Sequence, residues 1–427
     1  MRSSWPARVA LLVAALVLGA PGRSPAQELK PVKPLAPDHE HLNVRNARSF
    51  DEGWLLLHDA YRQLEETIAG GSAFDISSEA NAVATLGARL GGILLEKSSP
   101  FTAERSASLG QAVQDVVATA IGLHIAADQG ELNRVGFAFA RLQEAVAAAS
   151  ALVPESFVCP MHCEGTKTYP TPGLCPECGM NVRKVTTAKY AVTVTPDAPI
   201  APGADCDLTF TIEDPTGARV TALEVVHEKI LHLLMVSSDL AWYAHEHPEI
   251  QKDGSFRLRF RFPHPGKYVL FHDFTPKDVG MQVVPVTLVV EGEPPKPVAL
   301  VPDAKAPKAL GEYSVSLDTN GALVTDAPSL LRYTVTRDGV PVADLEPYLG
   351  AMGHLIVVSQ NLRSFVHSHP KETSPAPKKG GPVVEFEAHF DRPGRYKAWA
   401  QFQHKGSVLT FPFTFDVAPA IRSRKGK

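Results

Sequence analysis

Seven residues between positions 159 and 180 have the types and spacing of a metal site. Cys159-Pro160-Met161-His162-Cys163 is followed by Cys175-Pro176-Glu177-Cys178-Gly179-Met180. Two cysteine pairs at short spacing, joined by a loop, form a tetrahedral sulfur cage, because the tight turn between paired cysteines lets two thiolates point at one ion. Thiolate and thioether donors suit Zn(II) or Cu(I). Met161, His162 and Met180 add further donors. So short a segment buries too little apolar surface to fold alone, and a bound ion then supplies its folding free energy. The competing reading is two disulfides formed in an oxidising compartment.

These residues carry a resemblance. The segment resembles the heavy-metal-binding domain of bacterial envelope metal-efflux proteins, which reads Cys-Pro-Met-His-Pro and then Cys-Pro-x-Cys-Gly-Met. Cys159 to His162 and Cys175 to Met180 match it residue by residue. The resemblance implies an exported metal-binding protein associated with efflux. Cys163 departs from the pattern by standing where the family has proline; it offers a fourth thiolate and shifts the preference toward zinc. The helical stretch before the knuckle resembles, more loosely, the helical module that precedes such knuckles.

A second donor set occurs twice. Leu231 to Leu240 (LHLLMVSSDL) aligns with Gly353 to Leu362 (GHLIVVSQNL), and His245-Glu-His-Pro248 with His367-Ser-His-Pro370, without a gap. Phe262 to Tyr268 then aligns with Phe390 to Tyr396. Three matching blocks in order indicate a duplication. If 231–237 and 241–247 form a hairpin with a tight turn at Ser238-Asp239, residue 232 pairs with 245, and His232, His245 and His247 share one face. The same arithmetic centred on Gln360-Asn361 groups His354, His367 and His369. Three imidazoles on a rigid face suit Cu(II) or Zn(II). His272 on a later strand of the first repeat, and Met352 two residues before His354, extend these sets. Ala400 aligns with His272, with Gln401 and His404 close by, so the two sites differ. The plain alternative is that His-x-His-Pro serves strand-end packing, since duplication copies structural residues as faithfully as ligands. His227, His264 and His389 read as surface residues. Neither repeat sets a cysteine beside its histidines, as a blue-copper centre requires.

These donors need rigid elements behind them. Over residues 49–152, Trp54, Leu57, Ala60, Tyr61, Leu64 and Ile68 recur at helical spacing. Breaks fall at Gly70-Gly71, Ser98-Ser99-Pro100 and Gly130, and Ser77-Ser78-Glu79 reads as the start of a second helix. Four helices on short connections predict an up-down bundle, with His58 and His124 as ordinary half-buried histidines. Residues 155–184 form the knuckle. Residues 187–293 and 308–418 are rich in Val, Thr, Phe and Tyr between Pro, Gly and Asp clusters, which predicts two antiparallel β-sandwiches of Ig-like or cupredoxin-like type. A Pro-rich linker from Glu293 to Pro307 joins them. The predicted fold class is multidomain α+β.

The rest of the sequence bounds the setting. Arg2 and Arg8, the apolar run Val9 to Ala20 and Ser24-Pro25-Ala26 have the layout of a signal peptide over 1–26. The apolar run is shorter than the roughly 20 residues a membrane span needs, and none follows it. The mature chain is therefore expected to be soluble and periplasmic or secreted. Residues 27–48 read as a flexible leader and 419–427 as a basic tail. A net charge of -4 without a long basic run argues against nucleic acid as a partner. Five cysteines are present, and the isolated Cys206 reads as a buried thiol. No Ser-His-Asp signature, nucleotide loop or carboxylate pair points to an enzyme. The expected function is metal homeostasis or efflux, with metal ions and envelope efflux proteins as partners. In the alternative, the knuckle is only a zinc or disulfide staple in an interaction protein.

Overall fold

A computed structural model describes residues 47, 49–68, 72–96, 99–160, 163–177, 179–186, 188–303, 306–325, 327–370, 378–390 and 392–419. The expected signal peptide, the leader up to residue 46 and the tail beyond residue 419 lie outside the described residues.

Four helices come first: α1 (Phe50–Ile68), α2 (Ala73–Leu95), α3 (Ala103–Asp128) and α4 (Leu132–Leu152). The start of α2 differs from the predicted Ser77. Ser72 accepts from the Asp75 amide, and the Asp75 carboxylate accepts from the Ser72 amide. This reciprocal box satisfies helix-end donors five residues earlier. Ser77 is instead buried inside α2, with its hydroxyl 2.9 Å from His124 Nδ1. Leu57, Leu64, Val83, Leu90, Leu109, Val116, Leu123, Leu142 and Val146 fill the bundle core. Gly87 lets α2 and α3 approach: a Cβ there would lie 2.8 Å from Val117 Cγ2.

Each repeat is a sandwich of two antiparallel sheets. In the first, Ala191–Pro196, Asp205–Glu213, Phe256–Arg261 and Glu249–Ile250 face Gln282–Val290, Gly266–Phe274, Leu231–Ser237 and Tyr243–Glu246. In the second, Pro328–Arg337 joins Tyr313–Asp318 to Val383–His389, and the partner sheet runs Phe365–Ser368, His354–Ser359, Gly394–His404, Ser407–Val417. The third matching sequence block has a structural cause. Tyr268 Oη donates to the His264 carbonyl at 2.8 Å, and Tyr396 Oη to the Arg392 carbonyl at 2.8 Å, both from fully buried rings.

The two sandwiches pack sheet against sheet. Leu234, Val236, Leu240, Val269 and Phe271 of the first repeat meet Ile356, Val358 and Trp399 of the second. Strands Leu231–Ser237 and His354–Ser359 are thus covered on both faces, which is why they are apolar almost throughout rather than alternating. At one end of this seam the apolar side chains give way to histidines.

Candidate metal centres

The knuckle is a three-stranded sheet of two-residue strands, with Phe157–Val158 between Thr168–Tyr169 and Arg183–Lys184. Alternation splits its central strand: Val158 joins the bundle core, while Phe157 packs with Cys159, Cys175 and Val182. The Cys175 amide donates to the Met180 carbonyl and the Gly179 amide to the Cys175 carbonyl, both at 2.8 Å. Gly179 takes φ +73, a region open to glycine, to close this turn. The sulfurs of Cys159, Cys163 and Cys175 lie within 4.8 Å of one another. Cys159 and Cys163 sulfurs are 3.8 Å apart, close to the roughly 3.8 Å edge of a tetrahedron built on ~2.3 Å metal–sulfur bonds. This spacing fits a shared ion. Met180 packs against the same small apolar cluster. Met161, His162 and Cys178 lie outside the described residues.

All six hairpin histidines converge, but in a different register. Leu234 pairs with His245 and Ile356 with His367, so 232 stands opposite 247 and 354 opposite 369. The predicted pairings of 232 with 245 and 354 with 367 are off by two residues. The loops are longer than a two-residue turn: Leu240 and Leu362 adopt φ 58 and 62, and Ser237 and Ser359 pair with Trp242 and Ser364. A slip of two preserves the face, so each triad stays on one face as expected.

The two faces abut across the seam. The donor nitrogens of His232, His245 and His367 lie within 4.8 Å of one another, as do those of His354, His367 and His369. His227, read as a surface residue, stacks on His369 with ring centres 3.6 Å apart. It sits in a turn where His227 and Glu228 both have positive φ (47 and 64).

Four imidazoles are pinned from behind. His232 Nε2 is 2.9 Å from the Val226 carbonyl, and His354 Nε2 is 2.8 Å from the Tyr348 carbonyl, six residues upstream in each case. His245 Nδ1 is 2.9 Å from Gln401 Oε1, and His367 Nδ1 is 2.7 Å from Asp273 Oδ2. These last two bonds are exchanged between repeats. Asp273 stands opposite His232 and Gln401 opposite His354 in their own sheets, yet each holds a histidine of the other repeat. Burial, reinforced by neighbouring imidazoles, holds His245, His354, His367 and His369 well below the usual histidine range. It also lowers His227 to about 4 and pushes Asp273 up to about 6. Neutral imidazoles are the form that binds metal.

Two predicted donors lie elsewhere. His272 turns into the sandwich core, its ring against Phe210 and its Nδ1 on the Val284 carbonyl at 2.9 Å. Strand alternation gives the histidine face to Asp273 instead. Met352 packs in the core of the second repeat beside Gly380. The strand begins only at His354, so the two-residue period does not extend back to it. Sequence reasoning missed Asp273 and the role of His227, and placed Gln401 beside the second site rather than behind His245 of the first, because their partners belong to the other repeat.

The DUF8832 family, a domain of unknown function, matches residues 184–292 and again 308–419. No curated protein matches. Among solved structures, the chain is similar to a putative membrane anchored protein from Corynebacterium diphtheriae, at 14% identity over 55% of this chain and 61% of that one, with a TM-score of 0.16. It is similar to E. coli alpha-2-macroglobulin at 13% identity, over 60% of this chain and 16% of that one, with a TM-score of 0.19. It is also similar to a two-domain fibronectin type III segment from chicken tenascin, at 10% identity over 53% and 99%, with a TM-score of 0.17. The chain spans less than two thirds of the first two.

Proposed function

We propose, for a chain that belongs to the DUF8832 family through both of its β-repeats, an exported, non-enzymatic metal-binding protein acting in metal homeostasis or efflux. Its knuckle takes Zn(II) or Cu(I) on thiolates, and its histidine seam takes Cu(II) or Zn(II) on imidazoles. The observation that carries this reading is the convergence of seven imidazoles (His227, His232, His245, His247, His354, His367 and His369) where the rest of the seam is apolar. Buried polar nitrogens without partners are costly, and His354 Nδ1, His367 Nε2 and both nitrogens of His369 have none among the described residues. A bound ion relieves that cost. His245, His247 and His369 are only half-buried, which leaves an approach from solvent. Efflux proteins of the envelope remain the proposed partners on the sequence resemblance alone.

A second reading concerns the knuckle. It is wedged between modules: Arg183 pairs with Asp59 of α1 at 3.1 Å, and Asn181 bonds Glu224 of the first repeat at 2.6 Å. Gly280 of that repeat lies so close that a Cβ would sit 2.2 Å from the Val182 carbonyl. This favours a structural ion at the knuckle and an exchangeable one at the seam.

The test is elemental analysis of the full chain purified anaerobically from the periplasmic fraction, with a count of reactive thiols. Stoichiometric zinc or copper with protected knuckle thiols is expected. A metal-free protein whose knuckle cysteines are oxidised overturns the reading.

A further inference from the structure

The sequence suggests one histidine site per repeat; the tautomers point elsewhere. A carbonyl or carboxylate only accepts, so the ring nitrogen facing it carries the proton, and the opposite nitrogen of a neutral imidazole is bare. His232 and His354 are thereby fixed with bare Nδ1, and His367 with bare Nε2. Gln401 donates its amide nitrogen to Thr410 Oγ1 at 3.2 Å, which leaves its oxygen to accept from His245 Nδ1. His245 Nε2 is therefore bare as well.

Two of these bare nitrogens, His232 Nδ1 and His245 Nε2, stand 3.3 Å apart. Facing lone pairs repel unless a cation lies between them. Metal–nitrogen bonds of about 2.0–2.1 Å set a tetrahedral edge of about 3.3 Å and ring centres roughly 5 Å apart. The ring centres of His232–His245, His232–His367, His245–His367, His354–His367 and His245–His354 are 5.5, 5.3, 5.8, 5.8 and 6.0 Å apart; His232 and His354 make no ring contact with each other, and the donor nitrogens close to within 4.8 Å as two triads that share His367. His232, His354 and His367 are each more than nine-tenths buried.

We propose that the seam holds a single divalent ion between His232 and His245 of the first repeat and His354 and His367 of the second. The ion is a clasp across the duplication, not one of a pair. His247, whose Nε2 lies 3.2 Å from His232 Nδ1, His369 and His227 flank the centre. Asp273 supplies a buried negative charge hydrogen-bonded to the cluster, which offsets one divalent ion better than two. The inference rests on the reading that the seam imidazoles bind metal.

Co(II) alone, titrated into the reduced full chain, tests it. Thiolate-bound cobalt shows sulfur charge-transfer absorption in the near ultraviolet, and cobalt on imidazoles does not, so the two centres are counted separately. The expected result is one imidazole-bound ion per chain, weakened by His232→Ala and by His354→Ala alike. Two such ions, one lost with each variant, overturn the clasp but leave the metal-binding reading standing. No imidazole-bound cobalt in the unaltered chain overturns both. The ion count in the unaltered chain decides the matter even if a variant fails to fold.

Discussion

At the residue scale, the donors matter less than what holds them. The Asp273 carboxylate fixes the tautomer of His367 from 2.7 Å, as carboxylates do behind metal-binding histidines. Asp273→Asn is expected to weaken metal at the seam by about 10–100-fold, read by competition against a chelator, with the knuckle ion unaffected. Unchanged affinity would show that the pairing is only structural. Cys163 is the other informative residue. It stands where the resembling family has proline, and its sulfur joins those of Cys159 and Cys175. Cys163→Ser is expected to release the knuckle ion at chelator concentrations that leave the unaltered protein loaded, assayed with a zinc-sensitive dye.

At the element scale, α1 carries a histidine that the metal argument does not use. His58 is 6% exposed, lies 4.7 Å from the Trp54 ring centre, and has no hydrogen-bond partner for either nitrogen among the described residues. Burial lowers its pKa to about 4. The unfolded chain takes up this proton below about 6.5 while the folded helix resists it, so stability falls as pH drops from about 6.5 to about 4. Above that window the group has no effect. The loss reaches about 3 kcal/mol from this residue. Urea unfolding followed by helical circular dichroism should show it, and His58→Leu should flatten the slope. Periodicity made this helix legible, and the Gly130 break correctly bounded α3 and α4. The start of α2 was misread because Ser77 has the right residue type for a cap, but Ser72 has the Asp75 partner that completes one.

At the scale of the whole molecule, two arginines of the second repeat reach the bundle: Arg363 meets Thr67 Oγ1 of α1 at 3.3 Å, and Arg392, its side chain 12% exposed, makes the larger set of bonds. Arg392 reaches Glu79 of α2 at 2.8 Å and the Gln63 carbonyl of α1 at 3.0 Å. Burial pushes the Glu79 carboxyl up, and Arg392 opposes that shift. Arg392→Ala leaves a buried carboxylate without its partner, at an expected cost of about 3–5 kcal/mol. Limited proteolysis should then cut the bundle while both sandwiches persist. The paired change Glu79→Leu with Arg392→Met should restore most of the resistance. If Arg392→Ala digests like the unaltered chain, the bundle is held by its other contacts, among them Arg183–Asp59 and Arg363–Thr67.

The sequence by itself determined the modules, because composition, periodicity and turn residues are local. It also determined which histidines share a face, because a strand's two-residue period survives a register slip of two. The tertiary structure alone decided that the two faces meet. Alternation within a strand says which side a residue takes, but not what covers that side. Strands Leu231–Ser237 and His354–Ser359 are buried on both sides, and their near-continuous apolar runs were the available hint. Packing one repeat on the other brought Asp273 to His367 and Gln401 to His245, across more than ninety residues of chain in the first case. It sent His272 and Met352 into separate cores, since a buried side chain follows the packing of its own sheet before it follows a sequence motif.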